Sequence, residues 1–322
     1  MEQMYTKEDL ITKVAWFYYK EKLTQQEISD GISVPRQKVQ RLLQKARDLE
    51  IVTFQVKNPY ANLLSIERKL IEKYALRDAV VVPCPSSDDD DLLRRSFGKA
   101  GAFYLARLIS QHGNSIVGLG WGDTIAYLAD YFEPPKVKTS VKIVSLIGNL
   151  MVNVAMNPYL IVEQIARKLA APSYIIWAPA ITRSKRRAAV FKSEVWIKDV
   201  LQIASKADII LLSIGGFSLS SSLFRMGFLS NGEFKRLKEK GVVSNILGQF
   251  FDIKGNLVDD EIHERVISIP LHLLKERSKI VIGVGGGSSK FDGIQGALAA
   301  KYINVLITDE EAAHRLLNSN KK

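Results

Sequence analysis

The sequence predicts two domains of different class: a small all-α unit over residues 1–57, then an α/β domain over residues 58–322 built as a doubly wound, mainly parallel sheet. Three observations carry this. The chain has 322 residues, roughly twice a usual domain length. Up to residue 58 apolar residues recur at helical spacing. Beyond it, apolar β-rich runs alternate with amphipathic helical stretches, the order that builds βαβ units.

Leu10, Ile11, Val14, Phe17 and Tyr18 mark a first helix. Thr24 followed by Glu27 is a capping box, in which hydroxyl and carboxylate each take the other residue's amide, so a second helix starts at Gln25. Pro35, whose fixed φ suits a first turn, opens a third. Its Val39, Leu42, Leu43, Ala46 and Leu49 form one apolar stripe. Ile51 to Val56 is β-rich and fits a small wing, and Lys57-Asn58-Pro59 breaks the pattern, placing the boundary there. Strands are then expected at 79–82, 115–119, 141–146, 174–177, 209–214, 279–284 and 304–307, with helices at 63–74, 92–109, 124–131, 160–169, 195–204 and 293–301. Ile209 to Leu212 and Ile280 to Ile282 are apolar on both faces, as in a parallel sheet covered on two sides.

Composition narrows the class. With 45 Lys plus Arg against 34 Asp plus Glu the net charge is +11, which suits an anionic partner. A hydrophobic share of 47% supports a sizeable core and excludes a largely disordered chain. The single cysteine, Cys84, excludes a disulfide scaffold or a paired-cysteine zinc site, lacks a neighbouring base, and is expected to be inert. His112, His263, His272 and His314 lack metal spacing, so no metal is expected. No apolar run reaches a membrane span and no secretory leader opens the chain, so a cytoplasmic protein is expected.

Thr24 to Arg47 resembles a helix-turn-helix through Gln25, Ile28, Ser29, Ile32, Val34 and Val39. Ser29 stands at the helix crossing where Ala is usual, Ser33 at the turn where Gly is usual, and Pro35 where a capping Ser is usual. Ser33 to Arg47 holds Arg36, Lys38, Arg41, Lys45 and Arg47 with no acid, whereas residues 1–58 together have ten basic and eight acidic residues. The positive charge is thus gathered on one helix, of a size the major groove admits. Arg36, Gln37, Lys38 and Gln40 are expected at or near base edges, and Arg41 and Lys45 mostly at phosphates. Thr24 and Gln25, opening the second helix, should meet the DNA backbone.

In the larger domain, residues 115–119 lead through Gly120-Trp121-Gly122 into a helix near Thr124. Strand, Gly-rich turn and helix N-terminus together present free amides and a positive dipole end, an anion cradle. The amides of Gly122, Asp123, Thr124 and Ile125 and the Thr124 hydroxyl would form it, with Trp121 as a wall. Asp123 either points away from a phosphate, bonds sugar hydroxyls, or marks an unphosphorylated ligand. The second Gly-rich turn, Gly283 to Gly287, lies near the C-terminus with no suitable acid after a following strand, so no dinucleotide cofactor is expected.

Nearly the whole chain resembles the SorC/DeoR-type sugar-binding transcriptional regulators. The residues that carry it are Gly98 to Leu105, Gly118 to Thr124, Ala207 to Gly215, Gly248 to Gly255, the stretch around Arg265, Gly286 to Lys290, and Leu306 to Asp309. The resemblance implies a winged helix-turn-helix joined to an α/β effector domain similar to ribose-5-phosphate isomerase and glucosamine-6-phosphate deaminase. It also implies that Lys290 meets the effector, commonly its phosphate, and that Asp252 and Arg265 lie at the sugar pocket. Gly120 and Gly148 join the expected effector set, Gly148-Asn149 keeping part of a family Gly-Gly pair. Where some members carry an imine-forming lysine this chain has Ile147, so covalent capture there is not expected. The partners implied are operator DNA, a sugar or sugar phosphate, and a second copy of the chain in a homodimer or homotetramer, with no membrane and no catalytic residue. The alternatives are a sugar-phosphate isomerase or deaminase, and a DNA-binding protein whose pocket has decayed. Of the remaining features, Arg183 to Arg187 is expected as a solvated basic loop, Asp88 to Asp91 as an acidic lead into a helix, and Trp16, Trp177 and Trp196 as core.

Overall fold

The computed structural model describes residues 7–49, 51–52, 61–84, 90–150 and 157–319. They belong to two compact units, Met1–Ala61 and Asn62–Lys322. The expected break at 57–59, most of the expected wing (53–56) and Asp88-Asp89 lie outside the described residues.

The first unit contains α1 (Lys7–Tyr19), α2 (Gln25–Ile32) and α3 (Arg36–Asp48). Ile11, Val14, Ile28, Val39, Leu42, Leu43 and Ala46 close its core. The capping box at Thr24 forms: Glu27 N donates to Thr24 Oγ1 at 3.2 Å and Thr24 N to Glu27 Oε2 at 2.7 Å. Ser33 adopts φ +53, the left-handed region that a glycine would enter without cost. Ser29 compensates by locking the turn. Its hydroxyl donates to Val34 O at 2.6 Å while Val34 N donates to Ser29 O at 3.1 Å.

The second unit begins with α4 (Ala61–Tyr74), β1 (Asp78–Val82), α5 (Asp90–Gln111), β2 (Ile116–Leu119), α6 (Asp123–Tyr131), β3 (Lys142–Ser145), α7 (Pro158–Leu169) and β4 (Ser173–Tyr174). There follow α8 (Lys185–Ser193), α9 (Val195–Ser205), β5 (Ile209–Ser213), β6 (Gly215–Gly216), α10 (Ser222–Arg225), α11 (Asn231–Glu239), β7 (Ser244–Ile246) and β8 (Gln249–Phe251). The unit ends with α12 (Ile262–Arg265), β9 (Ile280–Val284), α13 (Phe291–Ala299), β10 (Val305–Asp309) and α14 (Glu310–Asn318). Seven strands make one parallel sheet in the order β1-β10-β9-β5-β2-β3-β4. Successive β5 side chains go to opposite cores, Ile209 and Leu211 under α5, α6 and α7, and Ile210 and Leu212 under α4, α9, α13 and α14. That division is the two-sided burial expected from the unbroken apolar runs. Since β2 leads to β3 on one side and β5 to β9 on the other, chain progression reverses between adjacent β2 and β5. Crevices at such strand ends take ligands.

Three buried-stem lysines tie helix C-termini down, where unpaired carbonyls and the negative dipole end favour a cation. Lys168 Nζ donates to Ala129, Asp130 and Phe132 carbonyls at 2.8–2.9 Å at the end of α6. Lys279 Nζ does the same to Ser205 O at the end of α9 (2.6 Å), and Lys73 Nζ to Leu316 and Leu317 O near the end of α14 (2.8 and 2.9 Å).

Several expectations are corrected here. Arg183 to Arg187 is no loop: Ser184 caps α8 and its hydroxyl accepts from Arg187 N. Trp16, Trp177 and Trp196 are surface residues, 55%, 60% and 60% exposed. A three-stranded sheet, β6-β7-β8, was not foreseen, its strands being only two or three residues long. Cys84 does have a carboxylate near it, Asp309 Oδ1 at 3.7 Å; partial desolvation and that negative charge push its thiol up, away from the reactive thiolate.

Asp260 yields a stability prediction. Its buried carboxylate accepts from Arg236 Nε at 2.8 Å, Lys240 Nζ at 3.0 Å and Ile262 N at 3.0 Å, and the Arg236 bond first among these holds its pKa well below the usual carboxylate range. Asp260→Ala is expected to cost about 2 kcal/mol, solvent around the half-exposed Arg236 keeping it toward the low end for charge-assisted bonds. A depressed carboxylate stabilises above its unfolded pKa, so the gap between wild type and variant should narrow as pH falls below about 3.9. Urea titrations across that range test this, and a gap independent of pH would refute it.

Candidate functional site: a cationic helix and a strand-end cavity

On α3 the buried stripe Val39, Leu42, Leu43 and Ala46 fixes which face points outward. Arg36, Gln37, Gln40, Arg41 and Lys45 are exposed on that face, and Lys38 is half-buried. Two rows result, Arg36-Gln40 and Gln37-Arg41-Lys45, each at one-turn spacing. Arg36, Arg41 and Lys45 form no ion pair with a described residue, so their charges remain available. Gln25 is half-buried at the start of α2, and the Thr24 hydroxyl is held by Glu27 at 2.8 Å; the capping box takes the Thr24 and Glu27 amides, so a phosphate there would have the amides of Gln25 and Gln26 to meet.

In the second unit a cavity of about 130 Å³ opens where β2, β5 and β9 end. Gly122, Asp123, Thr124 and Lys290 all line it. Gly122 adopts φ +117, and a Cβ there would lie 3.0 Å from Ser213 Oγ, which itself donates to Trp121 O at 2.8 Å. Trp121 is buried and walls the cavity as expected. No described residue accepts from the amides of Asp123 and Thr124. The Ile125 amide is taken by Gly122 O at 3.0 Å and its side chain is fully buried, so it presents no donor.

Lys290 enters from the second Gly-rich turn. Asp309, buried at the end of β10, sets that turn: it accepts from Gly287 N at 2.7 Å and from Ala312 N at 2.9 Å, so one carboxylate caps α14 and anchors the loop. Gly286 must lack a side chain, because a Cβ would fall 1.9 Å from Asp309 Oδ2. Burial first, then the Arg94 guanidinium, push the Lys290 ammonium below its ordinary value, against Asp90, Asp123 and Asp309. It makes no hydrogen bond or ion pair with a described residue. Arg94 itself is held by Asp90 at 3.2 Å.

The cavity also recruits residues the sequence reading missed: Ser213, Ser218, Ser220, Ser221, Ser222, Arg225, Asn245 and Ser289. Asn245 is buried and stands opposite Gly215 across the β6–β7 pair. The run of serines was the one visible signal, since hydroxyls clustered after a strand suit a polyol. Other expected residues are not brought here. Gly120 packs against β5, its N bonding Leu211 O at 2.8 Å. Gly148 N bonds Ile267 O at 2.8 Å, and a Cβ there would lie 2.5 Å from Ala178 O. Asp252 folds its own turn, accepting from Lys254 N and Asn256 N at 2.9 and 2.8 Å. Arg265 donates to Thr182 O at 2.7 Å and pairs with Glu233. Among the described residues no cluster of His, Cys, Asp or Glu could hold a metal, and no helix is long and apolar enough to cross a membrane.

A helix-turn-helix with an exposed cationic face and an α/β unit with a strand-end cavity that Lys290 lines define a class: DNA-binding regulators that respond to small molecules. The comparisons agree. Residues 58–318 match the Sugar-bind family of sugar-binding domains. The chain is 31% identical over 314 residues to the deoxyribonucleoside regulator of Bacillus subtilis strain 168, covering 97% of this chain and 98% of that one. It is 32% identical over 323 residues to the transcriptional regulator LsrR of Escherichia coli strain SMS-3-5, covering 99% and 97%. The full-length sorbitol operon regulator SorC of Klebsiella pneumoniae superposes with a TM-score of 0.75 at 27% identity, over 98% of this chain and all of that one. The chain therefore belongs to the SorC/DeoR-type family of sugar-binding transcriptional regulators. These relatives and neighbours are regulators, not enzymes, which sets the isomerase or deaminase alternative aside.

Proposed function

We propose that α3 reads operator DNA and that the strand-end cavity takes a sugar phosphate whose binding shifts operator affinity. Residues 1–57 would be the DNA-binding part and residues 58–322 the effector and oligomerisation part. The observation that carries the ligand class is Lys290: a half-buried ammonium with no hydrogen bond or ion pair among the described residues, in one cavity with the first-turn residues Asp123 and Thr124, whose amides no described residue takes, is arranged for an anion that arrives from solution. Asp123, half-buried and without a hydrogen bond to a described residue, suits the sugar hydroxyls, as do Asn245 and the serines. Similarity to a deoxyribonucleoside regulator and a sorbitol operon regulator supports a carbohydrate-derived effector. Paired half-sites call for at least a homodimer, acting on DNA in the cytoplasm.

The test is a thermal-shift titration against pentose and hexose phosphates and their unphosphorylated parents, followed by operator binding with and without each hit. A ligand at about 100 times its Kd should add about 2.7 kcal/mol of stability. A midpoint unmoved by every phosphate would refute the effector reading, and an operator affinity indifferent to a bound sugar phosphate would refute the coupling.

A further inference from the structure

Two charged side chains of the strand-end cavity have no role in the ligand reading above. Asp90 and Arg94, one turn apart at the start of α5, both line it, together with Lys290, Asp123 and Thr124. Their stretch of backbone is fixed against α6. Asp91 accepts from Tyr127 Oη at 2.5 Å and from Arg95 Nε at 2.8 Å, and the Arg95 guanidinium lies over the Tyr127 ring at 4.9 Å. One turn after Arg94 comes Gly98, where a Cβ would fall 2.6 Å from Tyr127 Cβ and 2.9 Å from Leu128 N. The two helices therefore touch there, one turn beyond the residues of α6 that present the Asp123 and Thr124 amides.

The bond that restrains the Arg94 side chain is weak. Its Nη2 reaches Asp90 Oδ2 at 3.2 Å in a single contact, and the Asp90 side chain is 79% exposed. A solvated pair at this helical spacing contributes little. Asp90 does not depend on it, because water and the positive end of α5 already stabilise a first-turn carboxylate. The guanidinium also acts on the Lys290 ammonium, which its charge helps to push down, so one cavity holds two cations that repel each other. A phosphate dianion between them turns that repulsion into two attractions. Its three oxygens are enough for the ammonium, the forked guanidinium and a helix-start amide.

Resting on the sugar-phosphate reading of this cavity, we propose that Arg94 is the residue that makes the receptor select phosphorylated sugars: it exchanges Asp90 for the effector phosphate, which Lys290 also holds. An unphosphorylated sugar leaves Arg94 on Asp90 and Lys290 unpaired, so it gains from neither cation. Asp90 is then a competitor for the guanidinium and sets how readily a phosphate captures it.

The probe is inorganic phosphate, titrated at constant ionic strength into the full-length protein with the melting midpoint as readout. The same series is run with each sugar phosphate that moves the midpoint and with its unphosphorylated parent. Arg94→Gln should weaken phosphate at least about tenfold, and Arg94→Lys, which keeps the charge without the fork, should lose less. Asp90→Asn should tighten phosphate about twofold, the worth of the helical pair it removes. Combined with Arg94→Gln it should change nothing, since the competition acts through the guanidinium alone. Parent sugars should bind wild type and Arg94→Gln alike. Equal phosphate affinity in wild type and Arg94→Gln, with Lys290→Met weakened, overturns the proposal and leaves the phosphate reading standing. A wild type indifferent to phosphate in every form fails that reading and this inference with it. A gain from Asp90→Asn that persists beside Arg94→Gln is general relief of repulsion and overturns the exchange. Parent sugars weakened as much as phosphates by Arg94→Gln would give the side chain a packing role and overturn the selection. Should Arg94→Gln melt early without phosphate, Arg94→Lys and Asp90→Asn carry the test, and unchanged affinity in both refutes it.

Discussion

Arg36→Glu combined with Arg41→Glu is expected to weaken operator binding by at least about a thousandfold. A lost base contact costs about 1–3 kcal/mol, and each reversal adds repulsion from the phosphates on top of a lost attraction. Both side chains are exposed, on the face opposite Val39, Leu42, Leu43 and Ala46, so neither supports the three-helix core. The variant should therefore keep its helix content, its melting midpoint and its response to the effector. Gln37→Ala should behave differently, relaxing preference at one base pair with little change in salt dependence, whereas Lys45→Ala should weaken all sequences alike. Anisotropy titrations across a salt series on operator and scrambled duplexes separate these outcomes. Undiminished operator occupancy by the double reversal would remove α3 from the interface.

Much of this architecture could be read from residues alone because the signals were strong and local. Seven apolar runs became the seven parallel strands, since a sheet buried on both faces needs side chains such as Ile209 to Leu212 that are apolar without alternation. The Thr24–Glu27 box fixed the start of α2 because its two hydrogen bonds lie within four residues. What escaped depends on distant partners. The short strands β6 to β8 have too few residues for a period to show, and they deliver Asn245 to the cavity. Helix α8 was hidden by cations in the turn where acids usually announce a helix. Arg265 and Asp252 are charged residues near glycines, a pattern that suits a pocket. Only the fold reveals that Glu233, Thr182 and the amides of Lys254 and Asn256 already occupy them. The tryptophans went astray because size favours burial on average, while Trp177 sits in the connection after β4 and Trp196 on the outer face of the first turn of α9.

At the cavity, Lys290→Met is expected to cost the effector about a hundredfold in affinity while leaving operator binding without effector unchanged. Methionine keeps most of the stem and removes the charge, and a charge-assisted contact to a phosphate contributes about 1.5–3 kcal/mol. Because burial and Arg94 hold the ammonium below its ordinary value, wild-type affinity should fall as pH rises through that lowered pKa, earlier than an ordinary lysine would dictate. The Lys290→Met variant should lack this alkaline loss, which separates a charge contact from a packing role. Gly122→Val strikes the other half of the cradle. Its φ of +117 is closed to a β-branched residue, and a Cβ would press on Ser213 Oγ at 3.0 Å, so the turn that exposes the Asp123 and Thr124 amides must move. Both variants should occupy the operator in the presence of effector as though none were there, since a ligand shifts an equilibrium only by its differential affinity for the two states. Calorimetric titration of the sugar phosphate and operator binding in its presence give the two readings. If Lys290→Met bound the phosphate as tightly as wild type, with the same pH dependence, the anion would have to sit elsewhere on the molecule.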